Sequence, residues 1–268
     1  MSSQIIIVIM LNFIISLIGT LAYSVRLVGV RTGKIAVSFA LFNVLMLVFR
    51  TAVTFQIPLL TNYVEVNPGS NDLLYIFNMI IIISSIATIV GAFLIPTFQR
   101  MLSKAVISFS NERSLSKVII HSFSRNGIRY IKECVTSPSK DNVTKLRIKD
   151  LPINIIVLNT ITVALITVGA LSPIYAGGIA PELRATCITL SSVINGFATI
   201  FMSIFIDPQL SIMTDDVIDG KCSEESFRAC VVGMVGSKTI GTVISLALLV
   251  PAAYLIVGIA EVISRIGG

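Results

Sequence analysis

Long apolar segments alternate with shorter polar segments along this chain of 268 residues. Six segments stay apolar over the about 20 residues that a helix needs to cross the hydrocarbon core of a bilayer. These segments are Gln4–Ser24, Ile35–Leu60, Leu73–Pro96, Pro152–Tyr175, Leu183–Ile206 and Lys238–Val262. The pattern predicts an all-α, polytopic integral membrane protein with six transmembrane helices, which form one membrane domain over residues 1–268.

The composition agrees with a membrane protein, since 54% of the residues are hydrophobic and 13% are charged. No basic residue precedes the first apolar segment and no small-residue cleavage site follows it, so we predict a retained span and not a signal peptide. The four cysteines show neither CxxC nor Cys/His spacing, and this indicates neither a metal site nor a disulfide framework.

Basic residues are concentrated in alternate connectors between the apolar segments. The first connector contains Arg26, Arg31 and Lys34, the third (residues 97–151) contains eleven basic residues, and the second contains none. Because basic loops stay in the cytoplasm, we predict that the odd-numbered connectors are cytoplasmic and that both termini are extracellular. The first three spans then run opposite to the last three, which makes a 3+3 inverted repeat a candidate architecture.

Several predicted spans carry polar side chains on one helical face. The second span has Asn43, Arg50 and Thr54 at i, i+7 and i+11. Such stripes commonly provide hydrogen bonds between packed helices, but they also line polar cavities. Arg50 is costly inside a bilayer unless it has an anionic partner, a wet cavity, a ligand or a route to the interface. The three cations of the first connector are either topology anchors or part of a cradle for an anion.

The third connector contains a segment, Glu112–Val135, with apolar residues on one side and basic residues on the other. It predicts an amphipathic cytoplasmic helix that lies on anionic inner-leaflet lipids, or that provides access for an anionic lipid head group. A last helix that started near Ser223 and continued to Ser264 would be about 60 Å long. We therefore expect a break near Gly233, Gly236 or Gly241.

The fifth connector contains the sequence DDxxD, formed by Asp215, Asp216 and Asp219. Carboxylates at this spacing hold Mg²⁺ in prenyl-diphosphate enzymes, so a membrane-embedded, Mg-dependent enzyme is the alternative function. The spans contain no carboxylate away from their ends, and the only histidine is His121 in the third connector. This inventory favours a transporter or binding protein over an enzyme, with no cofactor or metal. The basic segments lie between spans at the bilayer surface and do not indicate nucleic acid.

Two blocks of sequence resemble the Amj ("alternate to MurJ") family of bacterial lipid II flippases. The first block runs from Gly19 to Leu60 and the second, FMSIFIDPQLSIMTDDVIDG, from Phe201 to Gly220. The resemblance implies translocation of lipid II, an undecaprenyl-diphosphate carrying a disaccharide-pentapeptide, across the bacterial plasma membrane for peptidoglycan synthesis.

Charge and depth within these blocks then suggest the site residues. We expect Arg26, Arg31, Lys34, Arg50 and Asn43 to contact the anionic head group, because cations compensate its charge during passage. We expect ion pairing or gating from three acidic residues of the second block, Asp207, Asp215 and Asp216. If instead the protein is a scaffold or sensor, Arg50→Ala leaves function intact.

The size of this cargo also bears on assembly. Six helices can hardly enclose a cavity for a disaccharide-pentapeptide, whereas two copies around a two-fold axis along the membrane normal could do so. We therefore expect a homodimer.

Overall fold

The computed structural model describes residues 2–70, 72–112, 133–136 and 152–267, and every regular element in these ranges is helical. The helices are α1 (Ser3–Leu21), α2 (Val25–Thr32), α3 (Ile35–Val66), α4 (Asp72–Glu112), α5 (Ile153–Ile179), α6 (Arg184–Phe201), α7 (Asp207–Ile218) and α8 (Glu224–Gly267). Short 3₁₀ segments join α1 to α2 and precede α6, and a π-helical segment, Met202–Ile206, joins α6 to α7.

Six helical stretches of the described chain are long and apolar enough to cross a membrane. They are Ser3–Thr32, Ile35–Val66, Asp72–Ser110, Ile153–Ile179, Pro181–Ile218 and Glu224–Ile266, called spans one to six below. Each corresponds to one predicted apolar segment. The predicted all-α class and the six spans are therefore confirmed.

Several helices extend well beyond the apolar segments that predicted them. Helix α4 continues to Glu112, so about its last four turns lie in what was predicted to be a connector. Helix α8 begins at Glu224 and runs without interruption for 44 residues, about 66 Å. The expected break near its glycines was wrong, because a glycine inside a helix costs only about 1 kcal/mol and close packing can compensate it. The predicted amphipathic helix Glu112–Val135 lies outside the described residues except at its ends.

The spans are arranged as two groups of three. In the first group α1 packs against α3 and α4, and in the second α5 packs against α6 and α8. Buried Asn12 of α1 donates from its amide to the Ile80 carbonyl (2.9 Å) and to Ser84 Oγ (2.7 Å) of α4. An asparagine therefore fastens the first helix of this group to the third.

The second group is fastened in the same way. Asn159 of α5 donates to the Met234 carbonyl (3.1 Å) and to Ser237 Oγ (2.7 Å) of α8. The side-chain oxygen of each asparagine also accepts a hydrogen bond, from Gln56 Nε2 to Asn12 and from the Tyr23 hydroxyl to Asn159. Both amides thus have donor and acceptor partners inside the apolar bundle, where an unpaired polar group is costly.

The two ends of the bundle differ in how the groups meet. We call the end with the odd-numbered connectors the odd end and the opposite end the even end. At the even end, apolar residues from both groups form one buried cluster around Phe77, whose ring lies 5.3 Å from that of Tyr175. The Gly69 amide there donates to the Gly178 carbonyl at 3.3 Å. The two groups are therefore packed together at the even end.

Helices α5 and α8 are so close at Gly241 that a single added methyl group is expected to lower the stability of the protein. A methyl group added at Gly241 would lie 2.6 Å from the Thr160 carbonyl oxygen, whereas one added at Gly258 would have no heavy atom within 4 Å. Because the α5 backbone cannot retreat, we expect Gly241→Ala to lower the free energy of unfolding by about 1–3 kcal/mol. The measurement is unfolding in detergent, with Gly258→Ala as the control. Equal stability of the two variants would contradict the described packing.

Candidate functional site

A cleft of about 850 Å³ separates α4 from α8 at the odd end. Its inner walls are apolar and include Ile89 and Phe93 of α4 and Val232 and Val235 of α8. Leu27 of α2 also lines it. The same two helices belong to different groups, so the cleft opens along the boundary that is packed closed at the even end.

The mouth of the cleft is strongly basic. Four cationic side chains line it: Arg31, Arg100, Lys104 and Arg228. Among the described lining residues, Glu133 contributes the one carboxylate. Arg100 and Lys104 are one helical turn apart on α4, which places them on the same face. A basic rim above apolar walls matches a ligand with an anionic head and a hydrocarbon chain.

Helix α2 contains two of the three cations of the first connector, Arg26 and Arg31, and Lys34 lies just before α3. Helix α2 ends at Thr32 and is followed by Gly33, whose φ of 65° lies in the left-handed region that glycine adopts without strain. Arg31 at its end lies in the cleft mouth, where its Nε is 2.6 Å from Glu224 Oε1 and its Nη1 donates to Gln99 Oε1 at 3.0 Å. Arg31 therefore links α2 to α4 and α8 at the cleft.

The other two cations of this connector point elsewhere. Arg26 Nη2 lies 3.6 Å from Asp207 Oδ1, and Arg26 Nη1 donates to Ser211 Oγ at 3.0 Å. Lys34 donates to Ser110 Oγ near the end of α4. Arg26 is thus directed to α7 and Lys34 to α4. Of the three, the structure places only Arg31 in the cleft, and it does not bring them together in one cradle.

Arg50 and Asn43 lie on the exposed face of α3, away from the cleft. Thr54, on the same stripe, donates to the Arg50 carbonyl of its own helix. Within the described part of the chain no ion pair involves the Arg50 guanidinium. The polar residues predicted for one face of span two therefore do lie on one exposed face, with Leu47 between Asn43 and Arg50, but they do not line the described cavity.

The DDxxD sequence forms the end of a helix. The carbonyls of Asp215 and Asp216 accept hydrogen bonds from the backbone amides that follow α7, and Asp219 Oδ2 pairs with Lys221 Nζ at 2.8 Å. Across the described residues, no group of three or more His, Cys, Asp or Glu side chains is arranged to hold a metal ion. These contacts do not support the alternative of an Mg-dependent prenyl-diphosphate enzyme.

Sequence reasoning missed three cations of the mouth and one cation of the interior. Arg100, Lys104 and Arg228 were counted as connector residues, because the apolar segments end before the helices do. The spacing of Arg228, Val231, Val235 and Thr239 at helical repeats was the signal that α8 begins earlier. Lys238 was placed at the edge of span six, but it lies 14 residues into α8 and contacts α1.

The fold and the cleft define a multi-pass α-helical membrane protein with an intramembrane cleft suited to an anionic lipid. The comparisons with known proteins agree with this class. A family model described as "Amj: Alternate to MurJ" matches residues 11–260, and the chain belongs to that family. The resemblance predicted from the two sequence blocks is thereby confirmed.

One relative is similar over almost its whole length. "Lipid II flippase Amj" of Bacillus subtilis (strain 168) is 33% identical over 259 residues, which cover 95% of this chain and 96% of the relative. No solved structure matches the chain.

Proposed function

We propose that this protein is a lipid II flippase, which moves the undecaprenyl-diphosphate-linked peptidoglycan precursor from the inner to the outer leaflet of the bacterial plasma membrane. The observation that carries the proposal is the cleft between α4 and α8, with its basic mouth and apolar walls. The name of the relative from Bacillus subtilis supports the same cargo. The protein acts as a transporter and not as a catalyst.

The cleft fits the two parts of such a lipid. The diphosphate is anionic and binds at the mouth, where Arg31 and Arg100 provide hydrogen-bond donors with positive charge. The prenyl chain leaves between α4 and α8, past Phe93 and Val232, into the surrounding lipid. The even end is packed, so this conformation receives cargo from one side of the membrane only.

We infer that the odd end faces the cytoplasm, as the distribution of basic residues indicates. In intact cells, a membrane-impermeant thiol reagent is expected to label Pro68→Cys at the even end and to leave Ser103→Cys in the cleft unlabelled. The native cysteines are replaced beforehand, and permeabilised cells provide the control in which both positions react. Labelling of Ser103→Cys in intact cells would contradict the orientation.

We further propose that the two groups of three helices are inverted repeats that move against each other. Equivalent asparagines, Asn12 and Asn159, fasten the first helix of each group to the third, which supports the equivalence. Two ion pairs, Arg26–Asp207 and Arg31–Glu224, connect α2 of the first group to the second group. These pairs must break or shift when the groups move, which is the gating role we assign to Asp207.

We also assign roles in this movement to the other predicted site residues, Lys34, Asp215 and Asp216. Lys34 holds the start of α3 against the end of α4 and so sets the position of the mouth. Asp215 and Asp216 lie at the end of α7, whose start carries Asp207, and would shift with that helix. We propose that they add negative charge near the α2 cations during gating.

The direct test is lipid II exposure on the outer leaflet of cells whose only flippase is this protein. Wild type is expected to expose lipid II, and Arg100→Gln is expected to reduce exposure about fivefold, since it removes a charge-assisted hydrogen bond at the mouth. Arg265→Gln, at the even end of α8, is the matched control and should behave as wild type. Membrane levels of all variants are equalised.

If wild type exposes no lipid II, the proposed function is wrong. If Arg100→Gln equals wild type, the cleft mouth does not bind the head group.

We propose that the working unit is a homodimer related by a two-fold axis along the membrane normal. A cleft of about 850 Å³ is small for a disaccharide-pentapeptide, and the exposed stripe of α3 places Asn43 and Arg50 toward lipid. A second copy would cover these polar groups, which are costly in contact with hydrocarbon.

The dimer predicts cross-linking through the α3 stripe. In native membranes Asn43→Cys is expected to form a covalent dimer with a short thiol cross-linker, because the two-fold axis brings both copies of the stripe together. Leu255→Cys on the exposed face of α8 is the control and should stay monomeric. A protein that is monomeric in nanodiscs and fully active would contradict the dimer.

A further inference from the structure

Lys238 is a cation in the interior of the bundle. Its Nζ lies 3.2 Å from the Ser16 carbonyl of α1 and 5.9 Å from the centre of the Tyr23 ring. It follows Arg228 of the cleft mouth by ten residues on the same helix, which corresponds to about 15 Å. With the basic mouth placed at the boundary of the hydrocarbon core, which is about 30 Å thick, Lys238 lies about halfway across it.

The partners of Lys238 are dipoles and not charges. No carboxylate of the described residues forms an ion pair with it, and a single backbone carbonyl accepts one of its three N–H groups. A lysine at this depth costs several kcal/mol, and it is usually found on an ion or substrate path. A hydrogen bond to one carbonyl could be made by a neutral side chain as well, so it does not explain why a cation is present.

The Lys238 ammonium group occupies a space that the absence of a side chain at Gly19 leaves open. A methyl group added at Gly19 would lie 2.9 Å from the Lys238 Nζ and 3.8 Å from the Phe49 ring. Gly19 therefore makes the space that the ammonium occupies. The next residue, Thr239, is the innermost residue of α8 that lines the cleft. A change in the flexible lysine side chain would bring its charge from α1 to the inner end of the cleft.

We propose that Lys238 is the cation that the diphosphate of the transported lipid contacts midway across the membrane. The inference rests on the proposed flippase function and adds a transit site to it. At the mouth, several cations bind the diphosphate. Farther in, the Lys238 ammonium group gives up its hydrogen bond to the Ser16 carbonyl and donates to a phosphate oxygen instead. A single lysine offers no bidentate fork, so it compensates the charge without holding the lipid as an arginine would.

The test distinguishes the positive charge of Lys238 from its hydrogen bond to the Ser16 carbonyl. Purified protein in proteoliposomes transports a fluorescent lipid II analogue, and the maximal rate and the half-saturating lipid concentration are measured. Lys238→Gln keeps a donor for the Ser16 carbonyl but removes the charge, and Lys238→Met removes both. We expect both variants to lower the maximal rate about tenfold with little change in half-saturation, since one charge-assisted contact is lost in transit. Lys238→Arg keeps the charge and is expected to give a rate between those of Lys238→Gln and wild type, because its guanidinium holds the diphosphate more firmly.

A further variant displaces the Lys238 ammonium without replacing the lysine, and a matched glycine variant is its control. Gly19→Ala is expected to lower the maximal rate, because its methyl group takes the space of the Lys238 Nζ, whose flexible chain can yield without unfolding. Gly258→Ala, with no heavy atom within 4 Å of the added methyl group, should match wild type. Unfolding temperatures measured in parallel identify any variant that fails to fold.

The outcomes distinguish this inference from the proposed function. If wild type transports no lipid II analogue, the flippase proposal itself fails. If wild type transports and Lys238→Gln matches it, Lys238 is a structural hydrogen-bond donor and the transit site is wrong. If Lys238→Gln and Lys238→Met raise only the half-saturating concentration, the lysine belongs to the initial binding site, which also overturns the inference.

Discussion

Hydrocarbon cannot hydrogen-bond, so a polar side chain inside a span needs a partner from its own helix, from another helix or from a polar cavity, and the amides of asparagines need several. Asn12 and Asn159 meet this requirement between the first and third helix of their groups, with both amide donors and the acceptor paired. These bonds fix pairs of helices that run in the same direction and allow glycines such as Gly241 to approach a neighbouring backbone closely. The result is two internally fastened groups of three helices.

The boundary between the groups has a different chemistry at each end. At the even end it is filled by apolar side chains around Phe77, with few polar atoms to satisfy. At the odd end α4 and α8 diverge, and basic residues such as Arg31 and Arg100 surround the opening. Two ion pairs of the described residues, from α2 to α7 and from α2 to α8, cross the boundary at this end. An amphipathic lipid could therefore enter on one side while apolar packing closes the other.

The six spans could be predicted from the sequence because the hydrocarbon core sets the length of an apolar segment. The helix ends could not, because a helix continues into water wherever packing supports it. Arg100 and Arg228 therefore appeared as connector residues although they lie on α4 and α8. The sequence singled out the three cations of the first connector, but the fold directs them to different elements: Arg26 to α7, Arg31 to α4 and α8, and Lys34 to α4. Their directions depend on tertiary contacts, such as Arg26 with Asp207, that no local pattern contains. Lys238 was not predicted as an interior residue, because the apolar segment of span six begins at Lys238 whereas α8 begins at Glu224.

The central claim is that an anionic prenyl lipid passes between α4 and α8. The most direct measurement is photo-cross-linking with a lipid II analogue that carries a diazirine on the isoprene unit next to the diphosphate, followed by mass spectrometry of the labelled peptides. The account predicts labels within residues 89–104 of α4 and 228–239 of α8, and competition by unlabelled lipid II. Labels confined to the exposed faces of α3 and α6, with none in α4 or α8, would contradict it.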